Sequence, residues 1–243
     1  MIADLQALWQ EAFGDSQETL DKFFATGFSP DRFRCICEDS RPVCALYWFD
    51  CEVNGKRFAY LYAMATLKSH RSKGLAQRLM GEVHEILKTQ GYAAAILVPG
   101  EPSLFGFYEK LGYHTVATVT EFGCKAADMP IPLQQIGVTE YAHLRKAMLP
   151  PYGVVQEGAT LDYLHTYAKF FAGEGFLLSA TVEGDTLIAQ ELLGDIALAP
   201  RILSALGAQE GRFRAPGTGR HFAMYLPLSD DCPQPGYFGL ALD

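Results

Sequence analysis

Arg71-Ser72-Lys73-Gly74-Leu75-Ala76 stands where an apolar stretch, residues 58–67, gives way to a segment with helical periodicity. Leu75, Leu79, Met80, Val83, Ile86 and Leu87 recur at three- and four-residue spacing, which predicts an amphipathic helix to about Gln90, stopped by Gly91. A basic, Gly-containing turn that opens a helix is an anion site, because free backbone N–H groups and the helix dipole both favour negative charge there. The turn lacks the Gly-x-x-x-x-Gly-Lys-Ser/Thr pattern of nucleotide hydrolases and the Gly-x-Gly-x-x-Gly dinucleotide turn. Standing alone, it reads more readily as a helix start with a solvated lysine.

Upstream of this turn, Leu5, Leu8, Trp9 and Phe13 mark one helix, and Gly14-Asp15-Ser16 ends it. Leu20, Phe23 and Phe24 share a face of a second helix, capped by Ser16 or Asp15. Residues 32–37 and 43–53 read as strands, and Asn54-Gly55 is a strong hairpin signal leading into 58–67. Downstream, the all-apolar run 93–98 predicts a strand buried on both faces. Pro102-Ser103 opens a short helix that ends at Gly112, with Ser103 as its N-cap. Two strands, around 114–120 and 120–125, complete this half. The polar segment 125–135, with Pro130 and Pro132, reads as a linker.

The second half repeats the order helix, helix, hairpin, helix, strand, strand, strand. Its predicted helices run over 144–148, 161–171 and 200–206. Its predicted strands run over 176–182, 186–193, 212–215, 222–228 and 237–242. The anion turn is not repeated, because Gly194-Asp195 at the matching place would repel phosphate.

The composition suits a folded chain of 243 residues, 49% hydrophobic and 20% charged. No apolar run approaches the roughly 18 residues that would cross a bilayer, and Met1-Ile2-Ala3-Asp4 does not start a secretion signal, so a cytoplasmic location is expected. A net charge of −8 argues against a nucleic-acid surface and agrees with a cationic small-molecule substrate. The six cysteines form no CxxC pair and no metal spacing; they read as reduced, packed thiols, with Cys35 and Cys37 on one face of a strand. No metal site is expected.

A strand followed by Arg/Gln-x-x-Gly-x-Gly/Ala at the mouth of a helix resembles the signature of the GNAT superfamily of CoA-dependent N-acyltransferases. The turn 71–76 fits it at all three fixed places, with Ala76 replacing the commoner glycine. Phe107-Tyr108-Glu109-Lys110-Leu111-Gly112-Tyr113 resembles the family's following helix, so the likeness covers about 58 to 113. It implies an α/β (α+β) fold with a mixed, mostly antiparallel twisted sheet flanked by helices. The chain would hold two such halves: 1–127 as the acetyl-CoA-binding catalytic domain and 136–243 as a degenerate domain without the pyrophosphate turn.

The resemblance also implies roles. The amides of Ser72, Lys73, Gly74, Leu75, Ala76 and Gln77 would meet the CoA pyrophosphate, with Arg71 and Lys73 adding charge. Gly74 would let the chain approach without a Cβ in the way. The strand Met64-Ala65-Thr66 would run beside the pantetheine arm and pair with it through the backbone of Met64 and Thr66. Tyr108, otherwise an amphipathic core tyrosine, would donate a proton to the departing thiolate. Ser103 would cap its helix and contact the CoA arm.

The reaction implied is acetyl transfer to a primary amine of a small molecule by direct attack. Asp243 is a remote candidate base, by analogy with tandem-GNAT enzymes that use their terminal carboxylate; Glu101 and His70 read as solvated loop residues. His165 and His221 read as structural, and Tyr60, Tyr62 and Trp48 either line an acceptor pocket or fill the sheet. Two other readings remain open: a CoA-binding sensor or scaffold without turnover, and an unrelated phosphate-binding α/β domain.

Overall fold

The computed structural model describes residues 1–242. Helix α1 (Ile2–Phe13) closes on Gly14, whose φ of 80° supplies a left-handed cap. Ser16 then caps α2 (Gln17–Lys22), its hydroxyl accepting from the Thr19 amide, and a π-helical turn at Phe23–Gly27 extends it. Strands β1 (Phe33–Glu38), β2 (Arg41–Val53) and β3 (Lys56–Thr66) form an antiparallel meander. Both hairpins turn on two residues with positive φ, Asp39-Ser40 and Asn54-Gly55, whose backbone twist suits the strands they join. Helix α3 (Leu75–Thr89) carries the chain to β4 (Ala94–Leu97), which pairs parallel to β3. A short α4 (Phe105–Glu109) precedes β5 (His114–Lys125).

The second half contains β6 (Gln134–Ile136), α5 (Val138–Met148), β7 (Val155–Gln156) and α6 (Ala159–His165). Then follow β8 (Lys169–Gly173), β9 (Phe176–Glu183), β10 (Thr186–Gly194), α7 (Ala199–Leu206), β11 (Glu210–Pro216) and β12 (Arg220–Pro227). The series α5, α6, β8, β9, β10, α7, β11 repeats α1, α2, β1, β2, β3, α3, β4.

All described strands join one sheet, ordered β1-β2-β3-β4-β12-β5-β11-β10-β9-β8-β6, with β7 pairing β2. Only β3/β4 and β10/β11 among these described pairs are parallel. The sheet is thus mixed, mostly antiparallel and flanked by helices, as expected. Trp48, Leu61 and Leu97 pack on one face of the first half with Leu79, Met80, Val83 and Leu87 of α3. The other face packs on α1 and α2 and on residues of the second half, including Tyr163 and Phe238. Under α7 lies a separate cluster built from β9, β10 and β11.

Three expectations are corrected. Residues 114–125 form one strand, not two, because β5 bonds β12 along its first part and β11 along its last, so that a strand from the chain's far end completes the first half's sheet. The helix expected over 161–171 stops at His165. Phe170 and Phe171 lie in β8, buried on opposite faces, because a tight hairpin at Glu174-Gly175 pairs them with β9. Residues 237–242 are buried but form no strand. Apart from a bridge between Gly153 and Tyr237 and a tight turn in which the Ala241 amide donates to the Gly239 carbonyl, their backbone is bonded by side chains: Gln156 Nε2 to the Leu240 carbonyl and Arg214 to the Gly239 carbonyl.

Candidate functional site

Strands β3 and β4 pair only from Phe58↔Ala94 to Tyr60↔Ile96. Beyond Tyr60 the two strands diverge. Their divergence is sharpened by a bulge in β3: Ala45 pairs with Ala65 and Tyr47 with Tyr62, so Ala63 and Met64 together oppose Leu46, and Ala63 takes a φ of 50°. Into this notch opens a cavity of about 800 Å³. Met64, Met80, Leu97, Val98, Leu104 and Tyr108 line one end. Trp9, Tyr60, Tyr62, Tyr163, Tyr167 and Phe222 line the other, three of them from beyond residue 160.

Tyr108 sits on α4 with 8% exposure and its hydroxyl has no hydrogen bond among the described residues. Burial disfavours the phenolate and pushes its pKa up to about 12, so the group holds its proton at neutral pH. Of the expected site residues, Met64 and Tyr108 therefore meet in one cavity, while Ala65 is buried in the β2/β3 ladder.

The turn 71–76 lies outside the cavity walls, at the exposed N-terminus of α3. Ser72 and Gly74 both have positive φ, 61° and 76°, and the first backbone bond into the helix is from Arg78 to the Gly74 carbonyl. The N–H groups of Leu75, Ala76 and Gln77 thus remain without intrahelical partners, and the first helical turn carries no acidic residue. A Cβ added at Gly74 would meet nothing within 4 Å, so the glycine is needed for its backbone angle and the space before it is open.

Neighbours brace the turn. Arg71 Nε donates to the Thr66 carbonyl at 3.3 Å, the Lys68 amide donates to Glu11, and His70 is held between Ser69 and Glu38. His70 is therefore committed to the protein, while Lys73, Gly74 and Gln77 are exposed.

Ser103 does not cap the Tyr108 helix. Pro102–Leu104 form a 3-10 turn before α4 begins at Phe105, and Ser103 Oγ donates to Glu101 Oε1 at 2.8 Å. Tyr60 and Tyr62 reach the cavity, whereas Trp48 is buried on the opposite face with its indole N–H toward Tyr92. Asp243 lies outside the described residues. Sequence reasoning missed Asp15, Tyr163, Tyr167 and Glu183 as wall residues; an aromatic at helical spacing carries no sign of which cavity it meets. Among the described residues no helix is long and apolar enough to cross a membrane, and no cluster of His, Cys, Asp or Glu is placed to hold a metal.

Residues 2–116 match the family model described as an acetyltransferase (GNAT) domain. No curated protein matches the sequence. Among solved structures, the chain is similar to a GCN5-related N-acetyltransferase from Kribbella flavida, at 16% identity and TM-score 0.69, covering 92% of this chain and 68% of that one. It is similar to another from Anabaena variabilis ATCC 29413, at 13% identity and TM-score 0.72, covering 94% and 70%. A tandem GNAT protein from the clavulanic acid biosynthesis pathway matches at 9% identity and TM-score 0.56, covering 95% of both chains. These likenesses establish the fold. Residues 2–116 thus match the GNAT acetyltransferase family model, and as a whole the chain has the fold of a tandem GNAT protein.

Proposed function

We propose that the protein is an N-acetyltransferase with one active site per chain, moving an acetyl group from acetyl-CoA to a primary amine of a small molecule. The observation that carries this reading is the notch between β3 and β4, with a proton-bearing Tyr108 in its wall and the open turn 71–76 at the head of α3. Residues 1–127, completed by β12, form the active half. The second half, 136–243, lacks the turn and contributes Tyr163, Tyr167 and Phe222 to the acceptor side of the cavity.

The amides of residues 72–77 and the charges of Arg71 and Lys73 would hold the pyrophosphate. The pantetheine arm would lie along the edge of Met64, Ala65 and Thr66 that β4 leaves unpaired, with Ser103 beside it. A neutral amine then attacks the thioester carbonyl carbon and a C–N bond forms. Negative charge gathers on the carbonyl oxygen, where a backbone amide of the Ala63–Met64 bulge would steady it. The C–S bond breaks, Tyr108 gives its proton to the thiolate, and the proton shed by the new ammonium passes through solvent to the phenolate and restores the phenol.

Thiol release over a panel of primary amines tests this, together with the melting temperature in saturating acetyl-CoA. Turnover that falls about a hundredfold in Tyr108→Phe, with the acetyl-CoA shift retained, is the expected result. A melting shift without turnover on any amine would instead make the chain a CoA-binding sensor. Absence of both would remove CoA from the picture.

A further inference from the structure

The acceptor end of the cavity brings together two kinds of group. Trp9, Tyr62, Tyr163 and Tyr167 form a continuous aromatic wall, with successive ring centroids 5.6, 6.2 and 5.5 Å apart. Charged side chains also reach the cavity, and their partners decide what field it presents. Both cations are already paired outside it, although Arg220 shares its carboxylate, Glu121, with Arg214. Lys22 Nζ lies 2.7 Å from Glu18, and Arg220 makes a two-pronged contact with Glu121 at 2.6 and 2.7 Å. Glu101, near the Tyr108 end, accepts from Ser103.

Asp15 and Glu183 are different. Asp15 is half-buried and its Oδ2 accepts the Trp9 indole N–H at 2.7 Å, which fixes the carboxylate but leaves its charge uncompensated. Glu183 forms no ion pair among the described residues. Two carboxylates without counter-ions beside electron-rich ring faces attract an ammonium group. The nitrogen that attacks a thioester must be neutral, so it is not the nitrogen these carboxylates would hold.

Resting on the transferase reading above, we infer that the acceptor is a diamine with an apolar body. One amino group reaches the thioester unprotonated, and the other stays protonated facing Asp15 and Glu183. A ring or hydrocarbon body lies against Trp9, Tyr62 and Tyr163. A densely hydroxylated amine fits less well, because its hydroxyls would be desolvated against the faces of these rings.

The test compares m-xylylenediamine with 3-(hydroxymethyl)benzylamine, which differ only in the second amino group, and with glucosamine. Thiol release gives kcat/KM, and calorimetry on the CoA-saturated protein gives acceptor binding independently of turnover. The diamine is expected to exceed the hydroxymethyl compound by about tenfold in both readouts. That ratio falls to about two, the statistical factor for two equivalent amines, in Asp15→Asn/Glu183→Gln. If the double variant does not fold, Glu183→Gln alone, at the exposed end of β9, still lowers the ratio about threefold.

A ratio near two in the wild-type protein, a ratio untouched by the variants, or glucosamine equal to the diamine would overturn the inference. Turnover with no diamine preference sinks this inference and leaves the transferase reading standing. Calorimetric preference with no turnover on any amine sinks the transferase reading alone.

Discussion

The two halves meet the same local problem, a strand leading into a helix whose first amides need partners, and solve it oppositely. In the first half the turn before α3 is basic and open: Ser72 and Gly74 lift the backbone with positive φ, and nothing within 4 Å faces Gly74. In the second half Asp195 puts its own carboxylate on the Ala197 amide at 2.9 Å, and Pro200 enters α7 without an N–H to offer. Gly194 is packed so closely that a Cβ there would lie 2.1 Å from the Gly175 carbonyl oxygen. One helix start is left open; the other is satisfied by the chain itself.

The strand divergence differs in the same way. Parallel pairing of β10 with β11 ends at Ala189↔Phe213, much as β3 and β4 part after Tyr60. Beyond that point, however, protein packs the second half. Glu191 forms a fully buried ion pair with Arg145, Tyr237 lies beside it, and Arg214 reaches the Gly239 carbonyl. The second half also passes from β11 to β12 with no counterpart of the helix that carries Tyr108. An open, basic helix start, an open notch and a buried phenol thus occur together in one half only.

The largest expected effect breaks the packed side of this comparison. Arg145→Met leaves Glu191 charged and unpaired in the core and should destabilise the protein by about 3–5 kcal/mol, measured by urea unfolding. Arg145→Met/Glu191→Leu should recover part of that loss. Next, a buried histidine of the first half, His84, is kept neutral: burial and then the Lys88 charge hold its pKa down at about 4, with Nε2 2.7 Å from the Tyr113 hydroxyl. Because the unfolded chain binds that proton near pH 6.5, stability should be complete above about 6.5 and fall toward pH 4, by on the order of 3 kcal/mol. Unfolding curves across that window should lose this slope in His84→Leu.

Tyr108→Phe, costing about a hundredfold in kcat, follows in size. Arg71→Ala/Lys73→Ala should raise the KM for acetyl-CoA about tenfold with kcat nearly intact, since both charges serve binding. Asp195→Ala is the matched control. It should cost about 1 kcal/mol of stability as a lost cap and leave acetyl-CoA kinetics where they were. A change in the acetyl-CoA KM there would mean that the second helix start also meets the cosubstrate.

Much of the first half was legible from local pattern. Asn54-Gly55 placed the hairpin, Gly14 and Gly91 ended their helices, and the 71–76 turn opened α3 where its periodicity begins. Each of these rests on backbone angles or on spacing within one element. What failed was non-local. Phe170 and Phe171 fit a helical spacing after Leu161 and Leu164 as well as they fit a strand, and pairing with β9 decided between them. Ser103 has the residue type of an N-cap, but Pro102 begins a 3-10 turn that delays the helix by three residues.

By itself, then, the sequence determined most element types of the first half, the shared order of the two halves, the single basic helix start and the tyrosine that follows it, because those depend on residues close in the chain. Only the tertiary structure decided that β12 from the end of the chain completes the first half's sheet between β4 and β5. It also decided that Ala63 bulges β3, and that Asp15 and Glu183 share a cavity with Tyr108. Strand order and cavity walls are set by burial and pairing between segments more than a hundred residues apart, which no local pattern encodes.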